Sequence, residues 1–336
     1  MLRDELAGMR YEAKGVRRGE GMNGGAHWQG AAEQVKDMTL LVYIKLLLTA
    51  FFWGGTFIAG RIVAQSVGPY SASFLRFAVA SVFLIFFAWR AEGKLPAVKK
   101  NLIIPVILLG LTGVFAYNIF FFKGLKIIGA GRAALIVANN PVFITLLSAF
   151  FFKERLSIVK MAGVGVSVTG AIVVISRGNL LDMLNGGLGW GELYIFCCVL
   201  SWVSFSLIGK SVMSELTPIV AVTYSSVIGA LFLFVPAYCE GITSGLANYS
   251  VSEWMGIAYL GIFGTVLGFV WYYEGIKKIG PSRAGLFINF VPVSAVFLAF
   301  FILREPVTIS LLIGTILVSA GVYLTNSGLP GYRGKI

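Results

Sequence analysis

From residue 41 onward the chain is a succession of long apolar stretches separated by short polar breaks. Ten stretches stand out, at 42–64, 70–90, 102–123, 129–152, 157–176, 190–210, 218–239, 253–274, 280–303 and 306–326. Each is close to the ~20 residues that a helix needs to cross the hydrocarbon layer. None alternates as a strand would, and only a helix satisfies its own backbone polar groups in lipid. The pattern predicts an all-α integral membrane protein of ten transmembrane helices, with the lipid bilayer as its main partner. Connections are short, so consecutive helices run antiparallel.

Residues 1–41 break the pattern. They are polar, rich in glycine and mixed in charge, without apolar periodicity, and are expected to form a disordered lead. They lack the apolar centre and small-residue cleavage site of a signal peptide, and Met22 and Met38 are alternative starts. The single histidine, His27, lies in this lead. A connecting loop at 177–189 separates two blocks, 42–176 and 190–326, and a short tail follows at 327–336.

Composition strengthens this reading. Hydrophobic residues make up 57% of the 336 positions and charged residues 12%, about half the share found in soluble proteins. Three cysteines and one histidine exclude a disulfide scaffold and a zinc enzyme. Cys197, Cys198 and Cys239 are best read as small buried residues. No metal site, cofactor motif, P-loop or catalytic triad signature occurs, so the chain is expected to be no enzyme.

The net charge of +12 raises the question of nucleic acid. Residues 1–38 hold equal numbers of basic and acidic side chains, so the whole excess lies among the apolar stretches. It is spread over helix ends, which suits membrane topology and excludes a nucleic-acid face. Thirteen cations fall on one side, including Arg90, Lys94, Lys99, Lys100, Lys153, Arg155 and Lys210, against five to seven on the other. The loop with Lys123, Lys126 and Arg132 runs against this bias. The balance places both termini in the cytoplasm.

The strongest signal is an internal repeat. A shift of 151 positions puts Gly124, Lys126, Gly129, Arg132, Ala133, Pro141, Glu154, Gly163 and Gly170 on Gly275, Lys277, Gly280, Arg283, Ala284, Pro292, Glu305, Gly314 and Gly321. Over residues 124–170, 15 of 47 pairs are identical without a gap. A shift of 149 likewise puts Trp53, Gly60 and Pro69 on Trp202, Gly209 and Pro218. Five helices per unit is an odd number, so the second copy enters the membrane from the opposite side. Two inverted five-helix repeats are a recurring architecture of secondary transporters.

These residues also resemble the EamA family of the drug/metabolite transporter superfamily. The resemblance rests on Trp53-Gly54-Gly55-Thr56-Phe57, on Pro69 followed by Arg76, and on the paired segments Gly124–Gly170 and Gly275–Gly321. It covers residues 42–326 and implies a ten-helix exporter of small metabolites, typically amino acids or related amphipathic compounds, in a bacterial inner membrane. Arg76 has no counterpart in the second half, where Ser225 aligns.

Candidate chemistry follows from polar and irregular positions inside the stretches. Pro141 and Pro292 free the carbonyls of Val137 and Ile288 and break their helices. Asn139, Asn140 and Asn289 lie beside those breaks, where they either bind substrate or satisfy the broken backbone. Trp53 and Trp202 occupy matched interior positions. With Thr56, Tyr117, Asn118, Ser204, Tyr224, Tyr272 and Tyr273 they are expected to line an amphipathic cavity; ordinary helix packing is the competing reading.

Glu154, Glu274 and Glu305 close helices and are read as ion-pairing or as capping the next helix. Arg76 is the deepest basic residue and either binds a carboxylate or snorkels to the interface as an anchor, the latter being the favoured reading. Gly163, Gly170, Gly314 and Gly321, spaced seven apart, predict close packing of the fifth and tenth helices or a homodimer contact. With no deep fixed charge, the expected solute is neutral or zwitterionic. The rival reading is a scaffold or lipid-acting enzyme, which would be packed solid where a transporter has a polar-lined cavity.

Overall fold

The computed structural model describes residues 24–152, 156–177, 179, 189–279 and 281–327. By compactness the chain divides into Met1–Ile44 and Lys45–Ile336, and the helix bundle is the second of these units. The described residues are helical, without strands. In order the helices are α1 (Gly24–Ser66), α2 (Pro69–Glu92), α3 (Lys100–Ile127), α4 (Ala130–Val137), α5 (Asn140–Phe152) and α6 (Ile158–Ile175). The second half continues with α7 (Trp190–Val212), α8 (Pro218–Cys239), a short α9 (Ile242–Gly245), α10 (Val251–Ile279), α11 (Pro281–Ile288), α12 (Phe290–Leu303) and α13 (Ile309–Ser327).

Among the described residues, nine spans are long and apolar enough to cross a membrane, and Ile309–Thr325 is a shorter apolar helix. Their outer faces carry large apolar side chains, such as Val82 and Phe86 on α2, Leu231 and Val235 on α8, and Phe297 and Phe301 on α12. Such faces suit lipid and not water. One boundary differs from expectation: the lead to residue 41 is already helical from Gly24. Most of the loop at 177–189, the tail from 328, and Lys153, Glu154 and Arg155 lie outside the described residues.

The helix starts repeat between halves. Pro69 follows Gly68 at the head of α2, and Pro218 follows Thr217 at the head of α8, where proline's missing N–H costs nothing. Helix α10 opens with a reciprocal capping box between Ser250 and Glu253. Helix α2 stops at Gly93, whose φ of 73° belongs to the left-handed region that glycine adopts freely. In the following loop Lys99 Nζ pairs with Glu215 at 2.8 Å, and that hydrogen bond holds the Glu215 carboxyl below its ordinary range. The pair is exposed and contributes little.

Irregularities recur at matched positions too. Helix α3 widens into a π-turn at Gly110–Ala116, and α10 does so at Leu260–Leu267. Both prolines interrupt their helices, as the missing N–H requires. Helix α4 ends at Val137 and α5 starts at Asn140, just ahead of Pro141, with a turn through Ala138 and Asn139 between them. Helix α11 ends at Ile288 and α12 starts at Phe290, with Asn289 between them.

Helices α6 and α13 lie against each other through their small residues. Gly163 faces Thr325 and Gly321, where an added Cβ would sit 2.6 Å from the Thr325 backbone nitrogen. Gly170 faces Val318, Gly314 faces Val174, and a Cβ on Gly321 would fall on the backbone of Ser167. The largest buried cluster, with Phe57, Phe121, Phe122, Leu125, Ile195 and Leu260, draws on α1, α3, α7 and α10. Tyr117 packs against its edge.

Candidate functional site

A small cavity, about 30 Å³, lies among α2, α3, α7, α8 and α10. It has room for about one water molecule. Its lining repeats between halves: Arg76 and Phe77 of α2 meet Ser225 and Ser226 of α8, and Asn118 of α3 meets Phe269 of α10. Each of these pairs is related by the sequence shifts of 149 or 151 positions. A second, wider groove of 440 Å³, with Val98, Ile103, Val106 and Phe232, is open and apolar, as a crevice facing lipid would be.

Arg76 does not snorkel. It is 7% exposed, and Nε donates to Thr265 Oγ1 at 3.2 Å while Nη1 donates to Asn118 Oδ1 at 2.9 Å. The Phe77 ring lies 5.2 Å from its guanidinium carbon, a favourable cation–π distance. The interface reading fails because α3 and α10 cover this face of α2, and the two bond partners lie in or just after their irregular turns. Thr265 lies within the second π-turn and bonds Leu260 O at 2.9 Å. Asn118 follows the first and donates to Val114 O at 2.8 Å. π-turns concentrate at functional sites; here they aim two acceptors at one cation. The bundle therefore holds a deep fixed charge, contrary to the expectation behind a neutral solute.

The aromatic wall is continuous. Trp202 lies 5.5 Å from Tyr117, 5.3 Å from Phe205 and 6.3 Å from Phe269. Trp53 lies 5.7 Å from the same Phe269 and 5.3 Å from Tyr272, and its Nε1 donates to Gly264 O at 3.0 Å. The two repeat-related tryptophans therefore meet through one ring. Thr56 is buried beside them and bonds Trp53 O at 2.6 Å. Tyr273 stacks on Phe269 at 6.0 Å.

Other expected residues lie apart from this wall or serve the backbone. Asn139 is buried and donates to Leu135 O at 3.0 Å, while Ser167 donates to its Oδ1 at 2.8 Å. It thus satisfies a carbonyl at the Pro141 break and ties α6 to it. Ser204 is exposed on α7 and bonds Leu200 O. Tyr224 donates to Pro96 O at 2.5 Å, in the middle of the α2–α3 loop. Asn140 and Asn289 each hold a buried Oδ1 without a hydrogen-bond partner, beside the two breaks and outside the cavity lining.

Boundary carboxylates cap helices of the other half and not the next helix. Arg304 turns the chain at φ 54°, and Glu305 then accepts from Ala130 N at 2.7 Å and Gly131 N at 3.2 Å. Glu240 accepts from Ser71 N at 2.7 Å at the head of α2. Glu274 pairs with Lys45 at 2.8 Å and Lys278 at 3.2 Å, and Arg132 pairs with Glu192 at 2.8 Å. Replacing Glu305 by alanine is expected to cost about 1–2 kcal/mol, the worth of a helix cap. Thermal unfolding of the purified protein measures it, and Glu305→Gln, which keeps an acceptor oxygen, is expected to lose less.

A chain whose helices turn apolar faces outward and enclose a polar and aromatic cavity between matched halves is a multi-pass membrane protein built around an internal site. The EamA-like transporter family matches it twice, over residues 40–176 and 189–327, and the chain belongs to that family. The family is one of transporters and not of enzymes.

Among its relatives is the uncharacterized transporter YyaM of Bacillus subtilis strain 168, 32% identical over 88% of this chain and 97% of the relative. A probable terminal-alkyne amino-acid exporter of Streptantibioticus cattleyicolor is 29% identical over 86% of this chain and 94% of the relative. A solved crystal structure overlays with a TM-score of 0.58 at 22% identity, covering 83% of this chain and 94% of that one. It shares the fold.

Proposed function

We propose that the protein is a secondary transporter of small amphipathic metabolites, amino acids among them, acting by alternating access. In this reading ten transmembrane helices form two inverted five-helix repeats in a bacterial inner membrane, with both termini in the cytoplasm. Transport is outward. The observation that carries the reading is the placement of repeat-related residues around one cavity, which a transporter needs and a scaffold does not. The amino-acid exporter relative supports the solute class. The cavity's present size fits a closed stage of the cycle, in which the helices part to admit a solute far larger than one water.

The test is release of a mixed metabolite panel from protein-containing liposomes, read by mass spectrometry. Saturable release of one chemical class is expected, weakened roughly tenfold or more in Trp202→Ala, which removes the ring that packs on both Tyr117 and Phe269. Absence of release from protein that melts cooperatively would overturn the transport reading and favour a scaffold.

A further inference from the structure

Arg76 carries a charge that no acidic side chain among the described residues answers. Every acidic residue among the described parts of Lys45–Ile336 sits near a helix end or in a loop: Glu92, Glu192, Glu215, Glu240, Glu253, Glu274 and Glu305. None of them pairs with Arg76. Its neighbours are a neutral amide, a hydroxyl and a ring. It lies seven residues inside α2, about 10 Å from the helix start, and is 7% exposed.

A buried guanidinium without a counter-ion is costly in protein and costlier in a membrane. Two of its five N–H donors are engaged by Thr265 and Asn118, which fix its plane and leave the remaining donors over. The planar fork of arginine matches a carboxylate bidentately. Ser225 stands at the repeat-equivalent position across the cavity, so the charge is unopposed by symmetry as well. Around it stand Tyr117, Trp202 and Phe269, rings suited to an apolar body.

We infer that Arg76 is the anion-recognition residue of the cavity, and that its ligand is a singly charged carboxylate with an aromatic or bulky apolar body. An α-amino group is dispensable, because no carboxylate lines the cavity to receive it. The inference rests on the transporter reading for the identity of the site, and narrows its substrate from amphipathic metabolites in general to amphipathic monocarboxylates. Amino acids qualify through their carboxylate alone. Asn118 and Thr265 are positioning residues, since both accept from Arg76 and set its plane.

The test measures binding to the full-length protein in detergent, by calorimetry, with four probes of one shape: 3-phenylpropionate, phenylalanine, 3-phenylpropanamide and phenethylamine. The two acids are expected to bind within severalfold of each other and roughly tenfold or more tighter than the amide and the amine, the worth of a charge-assisted hydrogen-bond pair. Arg76→Gln is expected to remove that preference, bringing acid binding down to the level of the amide, and to keep a melting temperature at or above that of the parent. Arg76→Lys, which keeps the charge without the fork, is expected to fall between.

Equal binding of acid, amide and amine, or no acid-selective binding up to the solubility limit, overturns the proposal. So does an Arg76→Gln protein that melts earlier and loses all probes alike, which is the signature of a structural pin. Failure of the transport reading looks different: acid-selective binding persists while liposomes release nothing. Conversely, release of solutes that Arg76→Gln carries unimpaired would overturn this inference and leave transport standing.

Discussion

Replacing Gly321 by leucine is expected to cost about 3 kcal/mol or more, the upper range for overpacking a close contact, and to leave little folded protein in the membrane. Gly321 lies where α6 and α13 pack closely, and a Cβ there would sit 2.3 Å from the Ser167 backbone nitrogen. Neither helix has a flexible side chain at that point to move aside. Gly163 and Gly170 approach α13 along the same line, so relief at one position strains the others. Melting of the detergent-purified protein, together with the yield of monodisperse material, measures the effect. Gly165→Leu is the control, since nothing lies within 4 Å of a Cβ built there. Equal stability of the two variants would show that the helix pair tolerates separation.

The second large effect is expected at Asn118. The residue is 1% exposed, accepts from Arg76 and donates to Val114 O. Leucine has nearly its shape and neither of its polar atoms. Asn118→Leu is therefore expected to cost about 3 kcal/mol, because it strips a buried cation of one acceptor and removes the side-chain bond to Val114 O, leaving that carbonyl only the Tyr117 N–H. Combining it with Arg76→Met is expected to recover most of the loss, since an apolar pair replaces a broken polar one. Thermal unfolding of the two single variants and the double variant gives the coupling. Additive losses would mean that Asn118 serves the π-turn alone and does not hold Arg76.

The apolar stretches, the repeat and the aromatic wall are legible in the sequence because each leaves a mark along the chain. Trp53 and Trp202 stand in matched interior positions, and Tyr117 and Asn118 are polar groups inside an apolar run. Arg76 is easily misread because an arginine near a helix start has the same local sequence whether it snorkels or is buried. Its fate depends on α3 and α10, which are distant in the chain. The π-turns carry no residue signature of their own, yet Gly110 and Gly113 fall on Gly261 and Gly264 under the shift of 151, a pairing that could have marked them. Asn139 shows the backbone-satisfying reading that the sequence left open beside substrate binding. Its short amide reaches the carbonyl four residues back, beside the Pro141 break.

The carboxylate caps have a consequence for how readily this molecule changes shape. Glu240 holds the head of α2 and Glu305 the head of α4, and antiparallel neighbours put both heads at the same end of the bundle. Each bond joins one half of the chain to the other through a side chain and leaves every intrahelical bond intact. Releasing both costs about 2–4 kcal/mol at the usual worth of a cap. That is the spacing at which a minor conformer holds about 0.1–10% of the population. In the proposed transport cycle the two caps therefore form part of a clasp at this end, beside the Arg132–Glu192 pair, whose release melts no helix.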